Sequence, residues 1–352
     1  MRHFAYILVL VGLLTACTQQ QPNADFAFQD EVRLPMTPVK DQLGSDLCWA
    51  YAMLATIETE HIVQGDSVNL SVDFVARHLL GEQTVDYFKT LRNRPITMCG
   101  MATRLIKRIM KDGLLSYDSY HSTTCNYRIL QRKLRSMADV AISRHQTLAE
   151  VVKKTEQLLD TEIRPVPRYQ FLYGAEYTTR EFAHSVCLPD EYIALTSFSH
   201  KPYFEPFVLD LPDNYDGDSF LNLPIDSLLS LTEQSLRRGH PVCWEGDNSD
   251  SGFDFQQGIA VTKEKPSQEL RQRLFEQRNT TDDHCMCIIG LARDKEEKPY
   301  FICKNSWGTD NPYGGLVYMS FDYFYLKTIA VVLPKNELYG GKSVNNCNFY
   351  TR

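Results

Sequence analysis

Apolar side chains recur every three or four positions after Cys48, which is the spacing of one face of a helix. The positions that share this face are Trp49, Ala52, Met53, Ile57 and His61. Gly65 ends the pattern, and the side chain of Ser45 or Asp46 can cap its start. The pattern therefore predicts a helix that has Cys48 in its first turn and ends at Gly65.

Two further stretches of the first half have helical character. Within residues 98–120 one apolar face is formed by Ala102, Leu105, Ile106, Ile109 and Met110, and Gly113 closes the pattern. Residues 126–165 mix basic and apolar side chains until Pro165 and Pro167 end the stretch. Its basic side chains allow a docking patch, but acidic ones dilute their charge, so we interpret the stretch as a solvated face over a packed one.

The second half of the chain has short apolar runs separated by polar and proline-containing turns, the pattern of β-strands. The runs lie at 192–195, 207–210, 241–244, 286–289, 300–303 and 316–319, with one short helix predicted at 228–236. We expect the last four runs to belong to one barrel-like sheet. The whole pattern predicts an α+β fold, with most helices preceding the strands.

Residues 1–16 have the features of an export signal, with an apolar run from Phe4 to Leu14 that is too short to cross a bilayer. The run ends in Leu14-Thr15-Ala16-Cys17, which resembles the processing site of bacterial lipoproteins. We therefore expect a signal peptide over 1–16, a lipid anchor on Cys17 and a polar tether over 17–30. These features predict a protein of the bacterial cell envelope that faces the periplasm or the cell surface. An ordinary cleaved secretion signal is the alternative.

The composition narrows the classes of function. The chain has 352 residues, of which 43% are hydrophobic, and its net charge of −7 argues against nucleic acid as a partner. Its ten cysteines allow disulfides in an oxidising compartment. However, Cys285, Cys287 and Cys303 lie in apolar strands, where a free thiol packs as a small hydrophobe. The cysteine spacings lack a clean pair of Cys-x2-Cys motifs, so no metal site and no cofactor are predicted.

Three separated residue types suggest nucleophilic chemistry. Cys48 lies in the first turn of its predicted helix, where unpaired backbone N–H groups and the helix dipole stabilise a thiolate. Alone, such a cysteine is more often a small buried hydrophobe. Downstream, His284 begins an apolar strand and Asn305 begins the sequence Asn-Ser-Trp-Gly. Cysteine, histidine and asparagine correspond to a nucleophile, a base and an orienting group.

These residues resemble the papain-like cysteine peptidases. Gln42 lies six residues before Cys48, Trp49 follows it, and Asn305-Ser306-Trp307-Gly308 matches the signature of that family. The chain is more similar to the bleomycin hydrolase and aminopeptidase C branch, because Cys48 and His284 are farther apart than a minimal papain-type domain needs. The resemblance covers residues 31–335. It implies a two-lobed α+β fold with a helical lobe, a β-barrel-like lobe, a largely helical insertion over 126–190 and a carboxyl-terminal tail over 336–352.

The resemblance also implies roles for individual residues. Cys48 is expected to attack the peptide carbonyl, His284 to act as base and acid, and Asn305 to orient the imidazole. Gln42 and the backbone N–H of Cys48 would form the oxyanion hole. The substrate cleft is expected to involve the following residues: Trp49, the turn Cys99-Gly100-Met101, and Trp307. Asp282 and Asp283 are expected to be solvated turn residues.

The resemblance to the bleomycin hydrolase branch suggests an aminopeptidase for short peptides, in which the tail and the carboxylate of Arg352 close one end of the cleft. A tail that packs on the surface instead is the alternative. Two other functions remain open from the sequence: a catalytically silent binding lipoprotein on the same fold, and a cysteine acyltransferase or transamidase. Oligomeric state and side-chain preference are not predicted.

Overall fold

The computed structural model of the chain describes residues 27–339. Within this range the helices are α1 (Cys48–Val63), α2 (Val72–Lys89), α3 (Ala102–Asp112), α4 (Tyr127–Ser143), α5 (Leu148–Glu162), α6 (Thr179–Val186), α7 (Ile225–Arg237), α8 (Gln268–Glu276) and α9 (Phe321–Lys327), and a short 3-10 helix covers Lys335–Tyr339. Helices thus predominate in the first half of the chain, as the apolar spacing predicted.

The strands of the described residues are β1 (Gln29–Arg33), β2 (Gln170–Leu172), β3 (Ala175–Tyr177), β4 (Tyr192–Thr196), β5 (Pro206–Val208), β6 (Ser219–Asn222), β7 (Val242–Gly246), β8 (Phe253–Asp254), β9 (Ile259–Ala260), β10 (His284–Arg293), β11 (Pro299–Lys304), β12 (Leu316–Ser320) and β13 (Thr328–Pro334). Eleven of them form one mixed sheet in the order β5-β6-β4-β13-β7-β10-β11-β12-β9-β8, and β1 pairs with β10. The remaining pair, β2 and β3, forms a separate hairpin. All six predicted runs correspond to strands of the large sheet.

Helix α1 is the junction between the helical and the sheet-forming parts. It packs against α3 and α2 on one side and against β10 and β7 on the other. Its residues Trp49 and Ala50 and nearly all that follow to Glu60 are therefore buried. The predicted limits of this helix are confirmed, but its apolar spacing indicated one buried face, whereas the helix is enclosed on every side.

A buried polar cluster joins α1 to the segment before it and to the sheet. Glu58 of α1 is fully buried and accepts hydrogen bonds from Lys40 Nζ at 2.7 Å and Thr37 Oγ1 at 2.5 Å. The backbone N–H of Leu70 donates to the same carboxylate at 2.7 Å. Lys304, at the end of β11, donates to Thr37 Oγ1 at 2.7 Å. This cluster fixes the loop before Cys48 against the strand that precedes Asn305.

Helix α2 was not predicted. Gly81 lies in its middle, and glycine disfavours a helix interior, so the sequence gives a weak helical signal there. The structure explains the glycine, because a Cβ at position 81 would lie 3.2 Å from Leu159 Cδ1 of α5. Gly81 thus allows α2 and α5 to approach closely, and the same glycine weakens the helical signal of α2 in the sequence.

The charged stretch over 126–165 forms two helices rather than one. Thr147 interrupts it with a capping box, in which its side chain accepts from the Glu150 N–H and the Glu150 carboxylate accepts from the Thr147 N–H. Both helices pack on α2. The first strand of the large sheet, β1, begins at Gln29.

Candidate active site

Cys48 is the first residue of α1 and is half-buried. The helix begins after Leu47, and no side chain caps it. The expected cap by Ser45 or Asp46 is therefore wrong, because the Ser45 hydroxyl donates instead to the Gln42 carbonyl at 2.7 Å within a tight turn. A helix start without a competing carboxylate is a favourable place for a thiolate.

The structure brings His284 and Asn305 together at the ends of neighbouring strands. His284 is the first residue of β10, and Asn305 directly follows β11, its antiparallel partner. The imidazole Nε2 lies 2.7 Å from Asn305 Oδ1. The N–H of Ser306 donates to the same oxygen at 2.7 Å, which fixes the orientation of the amide. With Nε2–H donating to Asn305, the other ring nitrogen of His284 is left for Cys48.

The pKa of the Cys48 thiol is held well below its ordinary value, mainly by a hydrogen bond from the Cys285 thiol. A hydrogen bond from His284 and the positive charge of its imidazolium lower that pKa further, although burial opposes them. Burial and the neighbouring Cys48 raise the pKa of Cys285 well above its ordinary value, so Cys285 remains a protonated donor. Cys48 is therefore a nucleophilic thiolate at lower pH than a free cysteine.

The contribution of Cys285 was missed by sequence reasoning, which assigned it only a packing role. It is buried, and it packs with the helical core that contains α1. Its position directly after the predicted base is the one signal that the sequence contained. The eight cysteines between positions 27 and 339 are all free thiols, as expected for those in β10 and β11.

An aromatic cluster covers the His284–Asn305 pair. The Trp307 ring centroid lies 4.6 Å from that of His284. Phe253 and Phe255 then contact Trp307, with centroid distances of 5.8 and 5.3 Å. This apolar cover excludes water from the hydrogen bond between imidazole and amide, which strengthens it.

Gln42 is fixed on the loop before α1 by three hydrogen bonds. Its Oε1 accepts from the Ser306 hydroxyl at 2.6 Å, and its backbone N–H donates to the Ser306 carbonyl at 2.8 Å. Its Nε2 donates to the Ser45 carbonyl at 2.6 Å. An amide nitrogen carries two hydrogens, so one N–H of Gln42 is still available to a substrate oxygen. Ser306, which the sequence analysis did not single out, is therefore a positioning residue for Gln42.

Trp49 packs against the turn Cys99-Gly100-Met101. The indole Nε1 donates to the Met98 carbonyl at 2.7 Å, and a Cβ at Gly100 would lie 3.2 Å from Trp49 Cε2. Trp49 is 0% exposed and Met101 1%, so neither side chain faces solvent beside the turn. The side chains of Trp49 and Met101 pack in the protein core beneath the turn. Cys99 is half-buried, and the turn can offer a substrate only its backbone and the Cys99 side chain.

The expectation for Asp282 is also wrong. Its Oδ2 is buried and has no hydrogen-bond partner among the described residues. Burial, followed by the charges of Glu245 and Asp213, raises the pKa of Asp282 well above its ordinary value. Asp283 is exposed, in agreement with the expectation.

Several expectations concern residues outside the described range: the signal over 1–16, the lipidation of Cys17 and the tail beyond Tyr339. In the part of the chain that the structure covers, no helix is long and apolar enough to cross a membrane. No group of His, Cys, Asp or Glu residues between positions 27 and 339 can hold a metal ion.

Comparison with known proteins was consistent with this geometry. A family model described as the Peptidase C1-like family matches residues 170–344. The chain is 23% identical over 388 residues to Cysteine proteinase 1, mitochondrial, of Saccharomyces cerevisiae, an alignment that covers 91% of this chain and 79% of the yeast protein.

Among solved structures, the fold is similar to that of PepW from Lactobacillus rhamnosis. The TM-score is 0.67 at 19% sequence identity, and the superposition covers 90% of this chain and 85% of PepW. The α+β papain-like fold is thereby shown. The family model is that of a peptidase family, and the yeast relative is named as a cysteine proteinase.

Proposed function

We propose that this protein is a cysteine peptidase that hydrolyses peptide bonds through Cys48, His284 and Asn305. One observation carries the proposal: the imidazole of His284 lies 2.7 Å from the Asn305 amide oxygen while also lowering the pKa of Cys48. A nucleophile, a base and an orienting group in mutual contact are the requirements of covalent acyl transfer.

The first half of the reaction forms an acyl-enzyme. The Cys48 thiolate attacks the carbonyl carbon of the scissile bond, and the carbonyl oxygen becomes an oxyanion. The free N–H of the Gln42 amide and the backbone N–H of Cys48 donate to that oxygen, whose charge develops only in the transition state. The His284 imidazolium then protonates the departing amine, the carbon–nitrogen bond breaks, and a thioester to Cys48 remains.

The second half consumes water. His284, now neutral, removes a proton from water as the oxygen attacks the thioester carbonyl. The sulfur leaves as the Cys48 thiolate, the peptide acid is released, and His284 is again an imidazolium. Asn305 keeps the ring in the same orientation throughout, because its amide oxygen accepts from Nε2–H in both halves.

The finer part of the proposal is aminopeptidase activity on short peptides. Its support is the resemblance to the bleomycin hydrolase branch and the position of the last described residues. Glu337 is buried and lies 3.6 Å from His240, which in turn contacts Glu60 of α1 at 2.9 Å. Glu60 is about 18 Å along α1 from Cys48. Residues 340–352 can span about 43 Å when extended, which is enough to reach the cleft.

The two alternatives differ from a peptidase in measurable ways. A silent binding protein would not form a covalent product at Cys48. A transamidase would transfer the acyl group to an added amine in preference to water, which product analysis by mass spectrometry would detect.

The test of the proposal is Cys48→Ala, with Cys99→Ala as the matched control. Cys48 and Cys99 are the half-buried cysteines of the described residues, and burial raises the pKa of Cys99. We expect Cys48→Ala to abolish peptide hydrolysis and labelling by an epoxide inhibitor at pH 6 without unfolding the protein. Cys99→Ala should retain epoxide labelling and hydrolysis, with any change confined to KM, because the Cys99 side chain borders the cleft without reacting. Hydrolysis by Cys48→Ala at the wild-type rate would refute the proposal.

We also propose that the protein is anchored to the bacterial envelope by lipidation of Cys17. The support is the apolar run before Leu14-Thr15-Ala16-Cys17. Cys17→Ser should give an unprocessed or mislocalised protein in cell fractionation. A variant that is processed and still membrane-bound would contradict the anchor.

A further inference from the structure

Three carboxyl groups affect one another's ionisation, and one of them is hydrogen-bonded to the residue after the turn Cys99-Gly100-Met101. Glu245 belongs to β7, Asp282 lies just before β10, and Asp213 lies in the loop between β5 and β6. Glu245 is 0% exposed, whereas Asp282 and Asp213 are half-buried. The proposed reaction uses none of them.

Strand register places Glu245 on the same side of the sheet as the nucleophile. Glu245 is directly opposite Cys285 in the antiparallel pair of β7 and β10, and directly opposed side chains lie on one face. Cys285 is also the largest influence that lowers the pKa of Cys48. The Glu245 carboxyl is therefore a near neighbour of the reacting sulfur, although 197 positions separate the two in the chain.

The hydrogen bonds of this carboxyl are incomplete. One oxygen accepts from the backbone N–H of Ala102, the first residue of α3. The other, Oε2, is buried without a partner among the described residues, and so is Asp282 Oδ2. A buried acceptor with no donor destabilises a fold, so two such acceptors on interacting carboxyls point to a donor supplied from outside the described residues.

Electrostatic effects link the three carboxyls to one another and to Cys48. Burial, opposed by the Ala102 N–H and assisted by the charges of Cys48 and Asp213, raises the pKa of Glu245 to about 8. Burial and then the charges of Cys48 and Asp46 raise the pKa of Asp213 to about 6. Such mutual effects require short separations in a poorly solvated place.

Cations of the protein do not neutralise this group. Arg104 lowers the pKa of Asp213 slightly, but its guanidinium lies 3.8 Å from Asp216 and donates to the Cys99 carbonyl. No ion pair to Glu245 or Asp282 is formed by the Lys, Arg or His residues that the structure describes. A metal ion is not the missing partner either, since no donor set within 27–339 can hold one.

The chemistry of the cleft indicates which part of a peptide reaches these carboxyls. His284 must protonate the departing amine, and it lies against Trp307. The leaving portion therefore occupies the Trp307 side, and the acyl portion that stays on Cys48 extends toward the turn Cys99-Gly100-Met101. The carboxyls border that turn, since Glu245 accepts from the residue directly after it.

We propose that Glu245, Asp282 and Asp213 form a subsite for a positively charged group of the substrate, on the amino-terminal side of the scissile bond. The group is an ammonium or guanidinium, supplied either by the free amino terminus of the peptide or by a Lys or Arg side chain. This inference rests on the proposed peptidase function. It proposes that side chains of the folded domain recognise the positively charged group of a short peptide.

The test compares four substrates of the form Xaa-Leu-reporter amide. Xaa is Lys or its uncharged analogue norleucine, each with a free or an acetylated amino terminus. We expect wild-type kcat/KM to be at least tenfold higher for substrates that carry the recognised cation. Acetylation removes that advantage if the amino terminus is the source, and replacement of Lys by norleucine removes it if the side chain is the source.

Glu245→Gln is the principal variant, because the amide keeps the acceptor for the Ala102 N–H but cannot become the carboxylate that a bound cation favours. It should lower kcat/KM about tenfold for the cationic substrates and leave acetyl-norleucine-Leu amide within twofold. Asp282→Asn should act in the same direction, and it replaces Glu245→Gln if that variant fails to fold. Glu176→Gln, which removes an exposed carboxylate of the separate β2–β3 hairpin, is the control and should not change the preference. An equal loss for all four substrates, or a wild-type enzyme without cation preference, overturns the proposal.

A binding measurement separates this inference from the peptidase proposal. Calorimetry with the Cys48→Ala variant requires no catalysis, and we expect Lys-Leu amide to bind at least tenfold more tightly than acetyl-norleucine-Leu amide. Equal affinities would overturn the subsite even if the wild-type protein hydrolyses peptides. Selective affinity in a protein that never hydrolyses them would support the subsite and refute the peptidase.

Discussion

Two thiols, not one, determine the reactivity of this cleft. The Cys285 S–H is the largest cause of the lowered pKa of Cys48, ahead of the His284 imidazole. A donor that hydrogen-bonds only to the ionised form stabilises the thiolate whatever the protonation state of the histidine. Cys285 is therefore a positioning residue for the nucleophile, since it acts on the substrate only through Cys48.

Replacing Cys285 by Ala should raise the pKa of Cys48, because the hydrogen bond to the thiolate is lost. The thiolate forms above that pKa, so the acid limb of the profile of kcat/KM against pH should move to higher pH, and so should the rate of alkylation by iodoacetamide. Cys285→Ser retains a donor and should move both less. Cys303→Ala, in the sheet core away from Cys48, is the control. Unchanged profiles for Cys285→Ala would show that the thiol only fills space.

Gln42→Ala should lower kcat by about 10²- to 10³-fold with little change in KM, the usual effect of removing one oxyanion donor. The reason is that the free N–H of Gln42 interacts with an oxygen whose negative charge exists only in the transition state. Ser306→Ala removes the 2.6 Å hydrogen bond to Gln42 Oε1 and should cause a smaller loss of the same kind. A raised KM at constant kcat would instead make Gln42 a substrate-binding residue.

At the scale of single residues, the sequence pointed to Cys48, His284 and Asn305 because each lies in a short, recognisable motif. It failed for Glu245 and Cys285, whose relevance arises only from the register of β7 against β10. No local pattern encodes that register. The burial of Trp49 was not readable from its local motif either, because its side chain packs against a turn far along the chain.

Helices and strands were predictable from the sequence where glycine or proline bounds them. They were harder to predict where tertiary packing outweighs the local preference of the residues. Helix α1 begins and ends where the sequence indicates, yet it carries buried polar residues on what the sequence suggested was a solvent face. Glu58 is one of them, and Lys40, Thr37 and the Leu70 N–H satisfy it. The buried polar cluster thus provides Glu58 with the hydrogen bonds that water would provide on an exposed helix face.

Glu58→Ala should destabilise the protein by about 3–5 kcal/mol, because Lys40 and the buried Lys304 would lose their counter-charge. Urea unfolding followed by circular dichroism measures this loss. Glu233→Ala is the control, since its pair with Arg237 on α7 is partly exposed and an exposed pair contributes little. A loss in Glu58→Ala no larger than in the control would show that the cluster does not hold α1 to the sheet.

On the scale of the whole molecule, the reactive groups meet only when the two parts of the fold are joined. Cys48 comes from the helical part, and His284 and Asn305 come from the sheet. The sequence predicted this two-part arrangement through its resemblance to a family. It could not predict where the chain leaves the domain, because that depends on the contact of Glu337 with Arg238 and His240 across unrelated segments.

The contacts of Glu337 and Leu338 determine where the chain should be truncated to test the tail hypothesis. Arg238 Nε donates to Glu337 at 2.6 Å, and Leu338 packs against the sheet core, so removal of either would disturb the folded domain. Truncation after Tyr339 leaves both in place and removes only residues 340–352. If that segment closes the cleft, the truncated enzyme should gain endopeptidase activity against peptides with blocked amino termini, while its hydrolysis of unblocked dipeptide amides persists.

The matched control is a full-length chain in which residues 340–352 are replaced by a Gly/Ser sequence of the same length. It keeps a flexible segment at the exit but removes the native side chains. If occupation of the cleft depends on the native sequence, the replacement should behave like the truncation, with cleavage of blocked peptides measured by mass spectrometry. An intact enzyme that already cleaves blocked peptides as fast as free ones would refute the tail hypothesis. In that case restriction to short peptides would have to come from the carboxyls around Glu245 or would not exist.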